Sequence, residues 1–219
     1  MITIDQQQKL LLNVARRLTR KITVYAIGGT AMMFLGFKDA TLDIDLVFEN
    51  EKDRVVFKEA VKSLGYLEMD ALKVYGVKRN TPEMLKLNDE RFDLFVVEVI
   101  DFIFSERMRQ RAEHIHQFEE NLILKIANPH DIILMKCATD RIKDKDDARR
   151  IIDSTTINWD ILIDEAKKQV ELGKDRAAFD LGYFLESLKA EMNLDIPQKV
   201  LDALFSIVEK QAKGRIHTH

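Results

Sequence analysis

The sequence predicts an α/β (α+β) chain: a mixed sheet with flanking helices, followed by a helical C-terminal part. Three observations predict it. Residues 24–48 read as an apolar strand, a glycine turn, a short helix, a loop and a second apolar strand. Residues 90–99 are dominated by β-branched and aromatic residues, the composition of a strand. From Pro129 onward apolar residues recur at helical spacing. The expected division is a core over residues 1–128, a helical region over 129–213 and a short tail over 214–219.

Taken in order, residues 5–19 predict a covering helix, with Leu11, Val14 and Leu18 on one face and Arg16, Arg17 and Arg20 on others. The strand that follows ends at Gly28-Gly29-Thr30. Glycines there permit positive φ or a close backbone approach. Thr30 falls at the start of a helix, where free N–H groups favour phosphate.

The second strand carries Asp43 and Asp45. Side chains alternate along a strand, so these two share a face while Leu42, Ile44 and Leu46 take the other. Paired carboxylates repel and resist burial, and a hard cation such as Mg²⁺ or Mn²⁺ relieves both costs. A phosphate cradle one strand before a metal-binding pair is equipment for phosphoryl or nucleotidyl transfer.

Residues 51–64 predict a helix with Val55, Val56, Ala60 and Leu64 apolar and Gly65 as its C-cap. Residues 66–77 read as extended, broken by Arg79-Asn80-Thr81-Pro82. On the strand over 90–99, Asp93 lies near the start, on the face of Phe95 and Val97. It is the third acid expected at the site, with Glu98 and Asp101 as rivals further along. A purely structural aspartate would instead pair with Arg91 or a lysine. His114 and His116 alternate at strand spacing, but no third ligand lies nearby, so solvated histidines are the better reading. Residues 122–127 form a last short strand. Asn128-Pro129-His130-Asp131 is a helix start. A helix to about Thr139, a charged stretch over 140–150, and helices over 159–172, 176–192 and 198–213 complete the chain.

Gly28-Gly29-Thr30 followed by Thr41-Leu42-Asp43-Ile44-Asp45-Leu46 resembles the nucleotidyltransferase superfamily of the DNA polymerase beta type, marked by Gly-Gly/Ser, a spacer and Asp-x-Asp. Within it the pattern is most similar to the prokaryotic branch that contains the AbiE-type abortive-infection toxins. The run Met135-Lys136-Cys137-Ala138 through Arg141, Lys143, Asp144, Lys145, Asp146 and Asp147 resembles the same branch. Thr30 stands where Ser is commoner, and Lys38 where Arg often precedes the acidic run.

The resemblance implies transfer of a nucleotidyl group from a nucleoside triphosphate to a hydroxyl or phosphate acceptor. It implies two divalent ions, Mg²⁺ or Mn²⁺, on Asp43, Asp45 and Asp93. It implies phosphates at Gly28, Gly29 and Thr30. A lysine at the place of Lys136 faces the nucleotide in such families, and an aspartate in the following helix supports the site. Asp147 is the expected one, with Asp144 and Asp146 in competition. The acceptor is a tRNA, a protein or a small molecule such as an antibiotic, and a toxin would have a cognate antitoxin. A catalytically silent nucleotide-binding or interaction module is the alternative from a different class. A Rossmann site fits worse, since Gly28-Gly29 lacks the three-glycine spacing that motif needs.

Composition agrees with these expectations. Of 219 residues, 46% are hydrophobic, enough for a large core. Lys+Arg 34 against Asp+Glu 37 gives a net charge of −3, so no global basic field recruits nucleic acid. One cysteine, Cys137, excludes an internal disulfide and fits a reducing, cytoplasmic compartment. No apolar run reaches membrane-spanning length, and no signal-peptide pattern opens the chain. His217 and His219 in the tail read as incidental.

Overall fold

The computed structural model describes residues 1–139 and 141–216. Asp140, which opens the charged stretch, and the tail histidines His217 and His219 lie outside the described residues. The chain forms two compact units. Residues Met1–Ile100 with Phe104–Asn128 make the first, and Asp101–Ile103 with the chain from Pro129 onward makes the second.

In chain order the elements are β1 (Ile2–Thr3), α1 (Ile4–Ala15), β2 (Ile22–Ala26), α2 (Gly28–Phe34), β3 (Ala40–Thr41), β4 (Ile44–Phe48), α3 (Glu51–Lys62) and β5 (Leu67–Met69). There follow α4 (Leu72–Tyr75), β6 (Glu83–Leu87), β7 (Glu90–Val96), β8 (Glu98–Val99), β9 (Phe102–Ile103), α5 (Glu106–Arg111), β10 (His114–Phe118) and β11 (Leu122–Ile126). The helices α6 (Pro129–Lys136), α7 (Ile142–Ser154), α8 (Trp159–Glu171), α9 (Ala177–Met192) and α10 (Gln198–Ile216) finish the chain. Among the described residues, no helix is long and apolar enough to cross a membrane.

The first unit is built on a mixed sheet in the order β10-β11-β2-β4-β7-β6-β5. The pairs β11–β2 and β4–β7 are parallel, and the other pairs along that order are antiparallel. One face of the sheet is an aromatic core. Ile44, Leu46 and Phe48 of β4 and Phe92 and Leu94 of β7 are fully buried there, with Phe57 of α3. Ring centroids lie 5.3 Å apart for Phe48–Phe57 and 5.9 Å for Phe57–Phe92. Such pairs contribute about 0.5–1.5 kcal/mol beyond area burial. The buried side of α3 is therefore Phe57, Ala60 and Val61, whereas Val55 is exposed, which corrects the expected face.

Three other expectations differ from the structure. The segment expected to be extended over 66–77 contains only β5 before it closes into the single turn of α4, too short to leave a periodic signal. The strand over 90–99 ends at Val96, because Val97 takes φ +58. That conformation is unfavourable for a β-branched residue. It is held by hydrogen bonds from the Val97 N–H to the Phe48 carbonyl at 3.0 Å and from the Phe104 N–H to the Val97 carbonyl at 2.7 Å. His116 is half-buried, not solvated, and its ring lies against Phe34 at 4.6 Å between centroids.

The glycine turn joins β2 to α2 under tight packing. Gly28 has φ +53, and a Cβ placed there would sit 2.7 Å from Oδ2 of Asp45. A Cβ on Gly29 would overlap Oγ1 of Thr41 and lie 3.2 Å from its Cβ. Gly29→Val is thus expected to lower stability by about 1–3 kcal/mol, the usual cost of overpacking. Chemical denaturation checks this, and an unchanged midpoint would contradict the packing argument.

In the second unit α8, α9 and α10 pack on one another, with Leu162, Ala166, Leu181, Leu185, Leu188, Leu201 and Leu204 buried. Gln169 of α8 is fully buried and binds the backbone of Ile103 twice, its Oε1 accepting at 2.9 Å and its Nε2 donating at 2.7 Å.

Candidate active site

The face of the sheet opposite Phe57 gathers the acids. Parallel pairing sets Asp45 of β4 directly beside Asp93 of β7. Neighbours in register point to the same face, so the two carboxylates share it. Asp43 lies just before β4 and joins them. One carboxylate oxygen from each of Asp43, Asp45 and Asp93 lies within 4.8 Å of the others. Among the described residues this is the one group of three or more His, Cys, Asp or Glu side chains spaced to hold a metal ion. Oxygen donors alone suit a hard cation such as Mg²⁺ or Mn²⁺. Glu98, one of the rival acids, lies past the break at Val97 and is not in this group.

Thr30 positions the acidic strand. Its hydroxyl accepts a hydrogen bond from the Asp45 N–H at 2.8 Å and donates to the Asp43 carbonyl at 3.4 Å. The side chain is fully buried and its hydroxyl faces β4, so it is not turned outward toward a phosphate. What α2 offers a phosphate is the backbone N–H groups of its first turn, which have no intrahelical acceptors. Behind Thr30, Gln7 of α1 is fully buried and donates from Nε2 to the Thr30 carbonyl at 3.4 Å. Thr41 links to the same loop, donating from Oγ1 to Oδ1 of Asp43 at 3.4 Å.

Two further residues complete the site: Arg91, which the sequence offered only as the partner of a structural Asp93 and which does pair with it, and Tyr75, which carried no weight there. Arg91 of β7 donates from Nε to Oδ1 of Asp93 at 2.7 Å, from a terminal nitrogen to Oδ2 of Asp93 at 3.0 Å, and from that nitrogen to Oδ2 of Asp43. Arg91 stands two residues before Asp93, hence on the same face. That spacing was the available signal. Tyr75 of α4 donates its hydroxyl to Oδ2 of Asp93 at 2.7 Å, and nothing in the sequence around it marked that role.

The electrostatics follow from burial. Asp93 is 0% exposed. Burial pushes its carboxyl up to about 6; Arg91 opposes the rise, Asp43 adds to it, and the Tyr75 hydrogen bond opposes it. Burial, then the Asp45 and Asp93 charges, push the Tyr75 hydroxyl well above the ordinary phenol range. Arg91 is pushed down by burial, but Asp93 and Asp43 more than offset this. A carboxyl raised in the fold binds protons that the unfolded chain has already released. In metal-free protein, stability is therefore expected to fall as pH rises from about 4 to about 6, by up to ~2–3 kcal/mol. Urea denaturation across that range should show this slope in the unaltered protein and not in Asp93→Asn.

Lys136 and Asp147 form a second cluster, within the helical unit. The Lys136 ammonium donates to Oδ1 of Asp144 at 2.7 Å and to Oδ2 of Asp147 at 2.6 Å. Asp144 also accepts from Nε of Arg141 at 2.7 Å and from the Thr139 hydroxyl. Burial pushes Lys136 down, and the two carboxylates more than offset it, so the ammonium stays charged. Both Asp144 and Asp147 support Lys136, while Asp146 is exposed. Lys136→Met removes the cation that the buried Asp144 and Asp147 share and is expected to cost about 3–5 kcal/mol. Denaturant unfolding tests this, and a loss under 1 kcal/mol (roughly the value of an exposed ion pair) would contradict it.

No protein-family model and no curated protein matches the chain. Solved structures do. The structure of ANT(2″)-Ia in complex with adenylyl-2″-tobramycin is 17% identical, over 82% of this chain and 97% of that chain, with a TM-score of 0.47. JHP933 from Helicobacter pylori is 16% identical, over 100% of this chain and 97% of that chain, with a TM-score of 0.43.

Proposed function

We propose that the chain is a metal-dependent nucleotidyltransferase, moving a nucleotidyl group from a nucleoside triphosphate to a hydroxyl or phosphate acceptor. The observation that supports this most is the convergence of Asp43, Asp45 and Asp93 beside the glycine turn. These three carboxylates would hold Mg²⁺ or Mn²⁺, two ions in all, and the metal would supply Lewis acidity toward phosphate oxygens. The backbone of Gly28, Gly29 and Thr30 would receive the triphosphate at the start of α2. Thr30 would also hold Asp43 and Asp45 in place through its hydroxyl. Asp93 would take the proton of the acceptor hydroxyl. Lys136, held by Asp144 and Asp147, would be the nucleotide-facing lysine that the resemblance implies.

The proposed acceptor is a tRNA or a protein, in a toxin of the AbiE-type branch with a cognate antitoxin. Transfer to a small molecule of antibiotic type is the alternative. The single cysteine supports a reducing, cytoplasmic setting. One observation favours a silent, nucleotide-binding or interaction module instead: Arg91 already lies on both Asp43 and Asp93.

The test is incubation with each nucleoside triphosphate, labelled at the α-phosphate, with Mg²⁺ and separate panels of tRNA, protein and aminoglycoside. The expected result is label on one class of acceptor with release of pyrophosphate. No product with any nucleotide or acceptor would favour the silent module.

A further inference from the structure

Arg91 holds the oxygens that a metal ion would need. Its guanidinium binds both oxygens of Asp93 and Oδ2 of Asp43, and its side chain is only 17% exposed. It is a charge-assisted, forked contact, the strong kind of hydrogen bond. Tyr75 also donates to Oδ2 of Asp93. One resident cation therefore occupies three of the acids' oxygens and offsets part of their charge. A divalent ion taking the same oxygens would meet that cation at short range, and like charges there oppose each other strongly in a low dielectric.

The guanidinium has to leave those oxygens before an ion can take them, and it needs another anion to bind. A triphosphate at the glycine turn would provide one, because a guanidinium pairs with phosphate as well as with carboxylate. We propose, on the basis of the nucleotidyltransferase reading above, that Arg91 is a displaceable counter-cation which makes metal entry depend on the nucleotide. Free metal competes against Arg91 and binds weakly. Metal arriving with a triphosphate binds well, because the displaced guanidinium gains a phosphate partner. Arg91 is thus a positioning residue that couples the two ligands, and it takes no part in the chemistry.

The experiment measures Mn²⁺ binding by electron paramagnetic resonance, with and without an α,β-methylene nucleoside triphosphate. It compares the unaltered protein, Arg91→Met, Arg91→Lys and Asp45→Asn. Arg91→Met is expected to bind Mn²⁺ alone about tenfold or more tightly than the unaltered protein, the scale on which neighbours shift affinity at a metal site. The analogue should then add little in Arg91→Met, but should strengthen Mn²⁺ binding clearly in the unaltered protein. Arg91→Lys keeps a cation but loses the fork, and should lie between the two. It carries the test if Arg91→Met does not fold. Asp45→Asn should bind no Mn²⁺ in either condition.

Equal Mn²⁺ affinity in the unaltered protein and both Arg91 variants would overturn the coupling and leave the metal reading standing. Loss of Mn²⁺ binding in folded Arg91 variants would overturn it too, by making Arg91 a structural brace for the acids. Absence of Mn²⁺ binding in every variant, with and without the analogue, would overturn the coupling together with the metal site on which it rests.

Discussion

Asp45→Asn is expected to abolish divalent-ion binding and to slow nucleotidyl transfer by ~10³-fold or more, a loss of about 4 kcal/mol in transition-state stabilisation. Asp45 lies in β4, directly beside Asp93, and its backbone is fixed by the Thr30 hydroxyl at 2.8 Å. Asparagine has nearly the same shape, so the close approach of Gly28 to this side chain is kept. The substitution removes one of three negative charges held within 4.8 Å. Removing like-charge repulsion favours the fold, and the unfolding midpoint should stay level or rise. Calorimetric titration with Mn²⁺ separates the two readouts. Unchanged Mn²⁺ affinity in a folded Asp45→Asn protein would remove this residue from the metal site.

Asp93→Asn is expected to keep near-normal binding of the metal–nucleotide complex while slowing transfer by ~10²-fold or more, the scale of losing a general base. The side chain keeps its size, and its carbonyl oxygen can still accept from Tyr75. Arg91 keeps its contact with Asp43. Nucleotide affinity and single-turnover rate must be measured in one preparation. Parallel loss of both would make Asp93 a metal ligand alone. An unaltered rate would place the proton-accepting role elsewhere.

The parts of the site that depend on local pattern were legible in the sequence. Alternation along residues 42–48 marked Asp45 as sharing a face with Asp43, and the apolar run around Asp93 marked a core strand. That Asp45 and Asp93 are register partners was not legible, because parallel pairing of β4 with β7 joins segments separated by α3, β5, α4 and β6. Tyr75 was hidden for a related reason. A helix of one turn leaves no period, and its contact with Asp93 exists only after the sheet has formed. The inward turn of Thr30 follows from the same assembly: β4 brings the Asp45 N–H to its hydroxyl, and that bond outweighs exposure to solvent. The end of β7 at Val97 had no signal at all, since a β-branched residue at positive φ runs against its own preference and is held by hydrogen bonds from distant residues.

The most direct test of the account follows the two ends of the triphosphate at once. A nucleoside triphosphate labelled differently at the α- and γ-phosphates is incubated with the protein, Mg²⁺ and the acceptor identified in the screen. The account predicts α-label bound covalently to the acceptor, γ-label released as pyrophosphate in equal amount, and neither event in Asp45→Asn. Transfer of the γ-label to the acceptor, or transfer that persists in Asp45→Asn, would contradict it.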